Sequence, residues 1–288
     1  MAIRKAVYAG SWYPGDRDEC EKQIRAFLAE SRFTYDRGGR YVAGIVPHAG
    51  WFFSGDLACT VIGALRGDND EPAPDVVVIF GMHLPPNVPP FITAEGQWGT
   101  PLGNIDIASD LAEKLTARHR FRIETPEKFT PDNTIELQMP FVKYFFDDAR
   151  ILTIGPPPGP AAVEIARTVI DGARELGLSI KIIGSSDLTH YGPNFGFTPA
   201  GSGRPAYEWV RDTNDRRVID RMLAMDPDGV ITEGLSHHSA CCPGAAAAAI
   251  VAATALGARK AELAGYSSSY EKNPGNSFVG YTGVLFRA

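Results

Sequence analysis

Short, continuous apolar runs closed by turns alternate along this chain with stretches of helical periodicity, and that alternation restricts the possible folds more than any other feature. The runs lie at Tyr41–Val46, Val76–Phe80, 150–154 and 180–184. Strands that are apolar at every position are buried on both faces, which requires helices on both sides of a sheet. The expected fold is therefore α/β, with a central, largely parallel or mixed β-sheet flanked by helices. Helices are expected over 16–30 with Asp16 as N-cap, and after PHAGWFFSG with Ser54 as cap and Leu57, Val61, Ile62 and Leu65 facing inward. Others are expected over 109–118, 136–145, 161–176 and 208–225, then an alanine-rich helix ending at Leu256 and a closing strand over 282–286. The proline-rich segment LPPNVPPFITAEGQWGTPLG reads as a long functional loop. No linker, low-complexity stretch or repeat divides the chain, so 1–288 is expected to form one domain.

The net charge of -6 and the lack of any Lys/Arg run argue against a nucleic-acid groove or a membrane surface. No apolar run approaches the roughly 20 residues that span a bilayer. The start, MAIRKAVYAGSWYPGD, reaches glycine, proline and aromatics before a signal-length apolar stretch, so a cytoplasmic location is expected. Four cysteines, two of them adjacent, suit a reduced compartment better than a disulfide framework.

The chain has six histidines, and three follow the apolar runs: His48, His83 and His190, the last with Asp187. Loops after the carboxyl ends of neighbouring strands in an open α/β sheet converge on one crevice. Two neutral imidazoles and one anionic ligand leave a metal with open positions. A histidine satisfied by loop carbonyls is the competing reading of each. The anionic ligand is sought in SHHSACCPG, where Pro243 fits the first turn of a helix and places Cys241 and Cys242 at its N-terminus, where a thiolate is stabilised. Side chains of consecutive residues generally diverge, so one of the two is expected to reach the site. The competing reading makes both core residues, as Cys20 and Cys59 are expected to be. His237 and His238 are further candidate ligands or proton carriers. Asp187 and His190 form an acid/base pair, because an imidazole titrates near neutral pH. Ser185 and Ser186 lack the G-x-S-x-G setting of a nucleophile. Glu136 reads as a ligand or a partner to a histidine. Trp12, Tyr13, Trp51, Phe52, Phe53 and Tyr191 are candidate walls of an aromatic pocket, with core packing as the alternative.

Together AGSWYPGD, VPHAGWFFSG, FGMH, TIELQMPF, SSDLTHYG and SACCPG resemble, in order and spacing, the Memo family, which includes the AmmeMemoRadiSam system protein B of bacteria and archaea. The resemblance runs from about Ala6 to Phe286. It implies a fold similar to the class III extradiol ring-cleaving dioxygenases, non-haem iron enzymes with a two-histidine, one-carboxylate site in which Memo-like proteins place a cysteine. By that resemblance His48, His83 and Cys241 are the metal ligands and His190, with Asp187, is the acid/base. Trp51, Glu136, Tyr191, His237 and Cys242 then surround them. Cys241 is preferred because the family motif reads cysteine followed by glycine, with Cys242 in the glycine's place. Asn133 stands where the family often has histidine. The implied metal is Fe(II), with copper or zinc as alternatives, and the implied role a dioxygenase-like oxidoreductase acting on a small molecule or peptide. The rivals are a pocket that binds a peptide or partner without turnover and a metal-dependent hydrolase.

Overall fold

The apolar runs become adjacent strands of one sheet in a computed structural model that describes residues 1–67 and 72–288. In chain order the elements are β1 (Ile3–Arg4), α1 (Arg17–Glu30), β2 (Tyr41–Val46), α2 (Trp51–Arg66), β3 (Val76–Phe80), β4 (Phe91–Thr93), β5 (Gln97–Thr100) and β6 (Gly103–Asp106). Then follow α3 (Ser109–Thr116), β7 (Arg122–Glu124), α4 (Asn133–Glu136), α5 (Met139–Phe145), β8 (Arg150–Gly155), α6 (Pro160–Leu176), β9 (Ile180–Ser185) and β10 (His190–Tyr191). The chain closes with α7 (Gly203–Trp209), α8 (Asp215–Leu223), α9 (Pro227–His237), α10 (Pro243–Ala255), β11 (Lys260–Ser268), α11 (Ser269–Lys272) and β12 (Phe278–Arg287).

The main sheet has the order β10-β12-β2-β9-β3-β8-β4-β7, with β11 paired to β12. Strands β2, β9, β3 and β8 run parallel, whereas β12 is antiparallel to β2 and β4 to β8, which makes the sheet mixed. Successive strand residues point to opposite faces. Val76, Val78 and Phe80 accordingly join one core with α6 and α10, and Val77 and Ile79 join a second with α1, α2 and α5. Alanines let α10 lie close over the sheet: a Cβ at Gly184 of β9 would stand 2.7 Å from the Cβ of Ala249. This mixed sheet covered on both faces is the architecture expected.

Several local expectations are corrected. Helix α2 starts at Trp51 with Gly50 as its cap, and Ser54 lies inside the helix with its hydroxyl donated to the Ala49 carbonyl. The earlier start buries Trp51, whose indole stacks on Phe141 at 4.2 Å and donates to the Leu137 carbonyl. The proline-rich stretch contains β4 and β5 and ends at the first residue of β6, and β5 and β6 form a second sheet with β1. Strands of three or four residues between prolines carry little periodicity. The helix expected over 208–225 is interrupted by a π-helical turn at Val210–Asn214, and that over 136–145 divides into α4 and α5. The closing strand is longer than expected and is paired with β11, which alternates too weakly to be read from sequence, as α9 does for helix.

Candidate metal centre

The site is built where the carboxyl ends of β2, β9 and β3 lie side by side. His48 follows β2 and is buried; its backbone N–H donates to Asp187 Oδ1 at 2.7 Å. Its Nδ1 lies 3.0 Å from Ser185 Oγ, and that hydroxyl gives its proton to the Thr134 carbonyl at 2.7 Å. Ser185 therefore accepts from Nδ1–H, which leaves the lone pair of His48 on Nε2. The Asn133 amide donates to the His48 carbonyl at 3.0 Å.

His83 follows β3 through Gly81 and Met82. A Cβ at Gly81 would stand 2.5 Å from Thr134 Oγ1, so only glycine lets the chain pass α4 this closely. Met82 has φ 70 and donates its N–H to the same hydroxyl at 2.6 Å. Nδ1 of His83 is 3.5 Å from Asp132 Oδ2. A carboxylate or hydroxyl behind one imidazole nitrogen, with the other nitrogen turned inward, is the usual arrangement behind metal-ligating histidines.

The third part comes from the turn before α10. Cys241 N–H donates to the Asp187 carbonyl at 3.1 Å and Cys242 N–H to Ser186 Oγ at 3.1 Å, which fastens both residues to the β9 loop. Cys241 Sγ is 3.2 Å from His48 Nε2 and 3.7 Å from Cys242 Sγ. One donor atom from each of His48, His83, Cys241 and Cys242 lies within 4.8 Å of all the others. The expectation that only one cysteine would reach the histidines is thus corrected. The kink at Cys242, with φ -128 and ψ 60 ahead of Pro243, keeps the two side chains from diverging.

Burial disfavours charge on Cys241, yet hydrogen bonds with Cys242 and His48 and the His48 charge hold it well below the ordinary thiol range. Cys242, buried and beside that thiolate, is pushed well above it. Burial also opposes charge on His48, but Asp187 and Cys241 raise its pKa. Asp132 and Cys241 likewise outweigh burial at His83 and push it up to about 10. The Asp187 carboxyl is raised, chiefly by burial.

His190, whose side chain is 33% exposed, flanks this group with Nε2 at 3.9 Å from Asp187 Oδ2. That nitrogen has no hydrogen-bond partner among the described residues. A cavity of about 450 Å³ opens beside it, walled by Leu84, Leu188, Phe195, Phe197, Leu235 and prolines, with His190, His238 and Cys241 its titratable groups. His190 meets Phe195 at 4.9 Å, and His238, at φ 52, meets Phe197 at 5.1 Å.

Other candidates lie elsewhere. Glu136 is buried and accepts from Tyr8 N–H at 2.6 Å and the Tyr13 hydroxyl at 3.1 Å, anchoring the N-terminal segment. Tyr191 stacks on Phe278 at 5.1 Å and Trp51, at the start of α2, packs on Phe141 and Phe27, so neither walls the cavity. His237 turns to Glu233, 2.9 Å away, and Trp12 and Phe52 are exposed. Sequence reasoning missed Asp132, the orienting role of Ser185, and the walls Phe195 and Phe197. The one available signal was the glycine-spaced aromatic pair of GPNFGF, just after His190.

A family model described as Memo-like protein matches residues 4–285. A MEMO1 family protein of Pyrococcus furiosus is 31% identical over 294 residues, covering 99% of each chain. One of Thermococcus kodakarensis is also 31% identical with 99% of each chain covered. Among solved structures, uncharacterized protein JW3007 from Escherichia coli K12 shares the fold with a TM-score of 0.55 at 14% identity, over 85% of this chain and 99% of that one. The ordered motifs, the full-length match and the relatives at this identity lead to one conclusion: the chain belongs to the Memo family.

Proposed function

We propose that this protein is a mononuclear metal oxidoreductase of the extradiol-dioxygenase kind, with His48, His83 and Cys241 as ligands and His190 as acid/base. The observation that carries the reading is the convergence of two oriented imidazoles, one of them buried, and a stabilised thiolate beside His190 Nε2, which has no hydrogen-bond partner among the described residues. The donor set fits a metal: Ser185 and Asp132 occupy the outward nitrogens, so the inward lone pairs and the sulfur meet within 4.8 Å. Iron is the metal the family resemblance favours, and when bound it would bring a chelating ligand and oxygen to one centre. The mostly apolar cavity holds the body of that ligand. His190 moves a proton at Nε2, and Asp187, 3.9 Å away, compensates its charge.

Metal analysis of protein made without a histidine tag tests the ligand set. His48→Ala, His83→Ala and Cys241→Ala should each lose most of the metal that wild type holds while keeping native circular dichroism. Equal occupancy in all four proteins would end the assignment.

A further inference from the structure

We propose that Cys242 is a fourth protein donor to this centre, so that the resting site carries two imidazoles and two adjacent thiolates; the proposal rests on the metal-centre reading above. Two sulfurs at tetrahedral corners, each 2.3 Å from one ion, stand about 3.8 Å apart, and a sulfur and an imidazole nitrogen about 3.5 Å apart. The observed edges are 3.7 Å between Cys241 and Cys242 and 3.2 Å between Cys241 and His48. These two edges match one ion shared by both sulfurs, and the remaining donor separations lie within 4.8 Å.

Two further observations favour ligation over packing. Both cysteine N–H groups are tied to the β9 loop, so the turn that presents Cys241 presents Cys242 equally. Cys242 is buried with Cys241 Sγ as its sulfur's polar contact, and its Sγ comes within 4.8 Å of donor nitrogens of both histidines, which an alkyl group would serve as well only if no ion bound there. The consequence is selective. Four protein donors fill the coordination of zinc, whereas iron keeps open positions, and the second thiolate shifts preference toward softer ions.

Cobalt(II), titrated into metal-stripped protein, reads thiolate ligation directly through its sulfur-to-metal charge-transfer absorption. Cys242→Ser and Cys242→Ala should still bind cobalt but lose about half of that absorption, and their zinc affinity should fall by more than the 10- to 100-fold that loss of a partner behind a ligand costs. X-ray absorption at the zinc edge of wild type, which needs no variant to fold, should count two sulfurs. One sulfur, or undiminished charge transfer in folded Cys242 variants, overturns the proposal. Wild type that binds neither ion overturns the metal centre itself, and this inference with it.

Discussion

His190 has a buried nitrogen with no hydrogen-bond partner among the described residues, and such an atom carries a desolvation penalty unless a ligand meets it. His190→Gln should therefore leave metal content near wild type and slow turnover by about 10²- to 10⁴-fold, the usual contribution of a general acid or base. Oxygen uptake by the ferrous protein with candidate catechols measures this, and loss of metal instead would make His190 a ligand. Asp215 poses a different problem. Its fully buried carboxyl accepts from Thr189 N–H at 3.0 Å, Thr189 Oγ1 at 2.5 Å and the Tyr266 hydroxyl at 2.8 Å, yet burial outweighs these bonds and pushes it up to about 7. A carboxyl that keeps its proton longer when folded contributes stability below the ordinary carboxylate range, and that contribution is lost as pH rises toward 7. The melting temperature of wild type relative to Asp215→Asn should fall across about pH 4 to 7 and level off above it. A difference independent of pH would show that Asp215 is ionised throughout.

The π-turn at Val210–Asn214 explains how a helix supports a loop it does not adjoin in sequence. An inserted residue shifts the helical phase, and such turns often occur near functional sites. Here Asn214 reaches Thr189 Oγ1 at 3.0 Å and the His237 carbonyl at 2.9 Å, linking the His190 loop to the end of α9. A reading based on 3.6-residue periodicity passes straight through it. Helix α10 shows the opposite case, since its alanine run is plain in sequence, but its close approach to β9 is not. Gly184→Ala should cost about 1–3 kcal/mol by overpacking, because the new methyl meets Ala249 at 2.7 Å and the Ala245 carbonyl at 3.0 Å. Chemical denaturation measures this; an unchanged midpoint would mean that α10 moves away freely.

Across the whole molecule, the second sheet ties the N-terminus to the segment that carries Asp132. Arg4 of β1 pairs with Glu124 of β7 at 2.6 Å, donates to the Thr130 carbonyl at 3.2 Å, and lies between Trp98 and Phe129 at 4.0 and 4.1 Å. Removing one member of a buried pair leaves an uncompensated charge and costs about 3–5 kcal/mol, whereas replacing both by apolar residues can be nearly neutral. Glu124→Ala should lose that stability in equilibrium unfolding, and Arg4→Met with Glu124→Leu should recover much of it. No recovery would mean that the contacts of Arg4 with Thr130 and the two rings matter more than its charge.

Composition and period alone point to an α/β sheet covered on both faces, because strands apolar at every position have no stable place except between two helical layers; that the sheet is mixed follows from the antiparallel pairing of β12 and β4. They also point to His48, His83, Asp187, His190 and the two cysteines, since residues at strand ends and helix starts are positioned by local backbone geometry. The nitrogen of His48 that faces inward depends on Ser185 and Thr134, and the partner of His83 is Asp132, all brought there from distant parts of the chain. The choice between one cysteine and two rests on a turn held by hydrogen bonds to β9. The displacement of Trp51, Tyr191 and Glu136 from the cavity has the same origin: an aromatic or a carboxylate beside a motif is claimed by whichever neighbour packs or bonds with it best, and that neighbour is set by long-range contacts that no local pattern encodes.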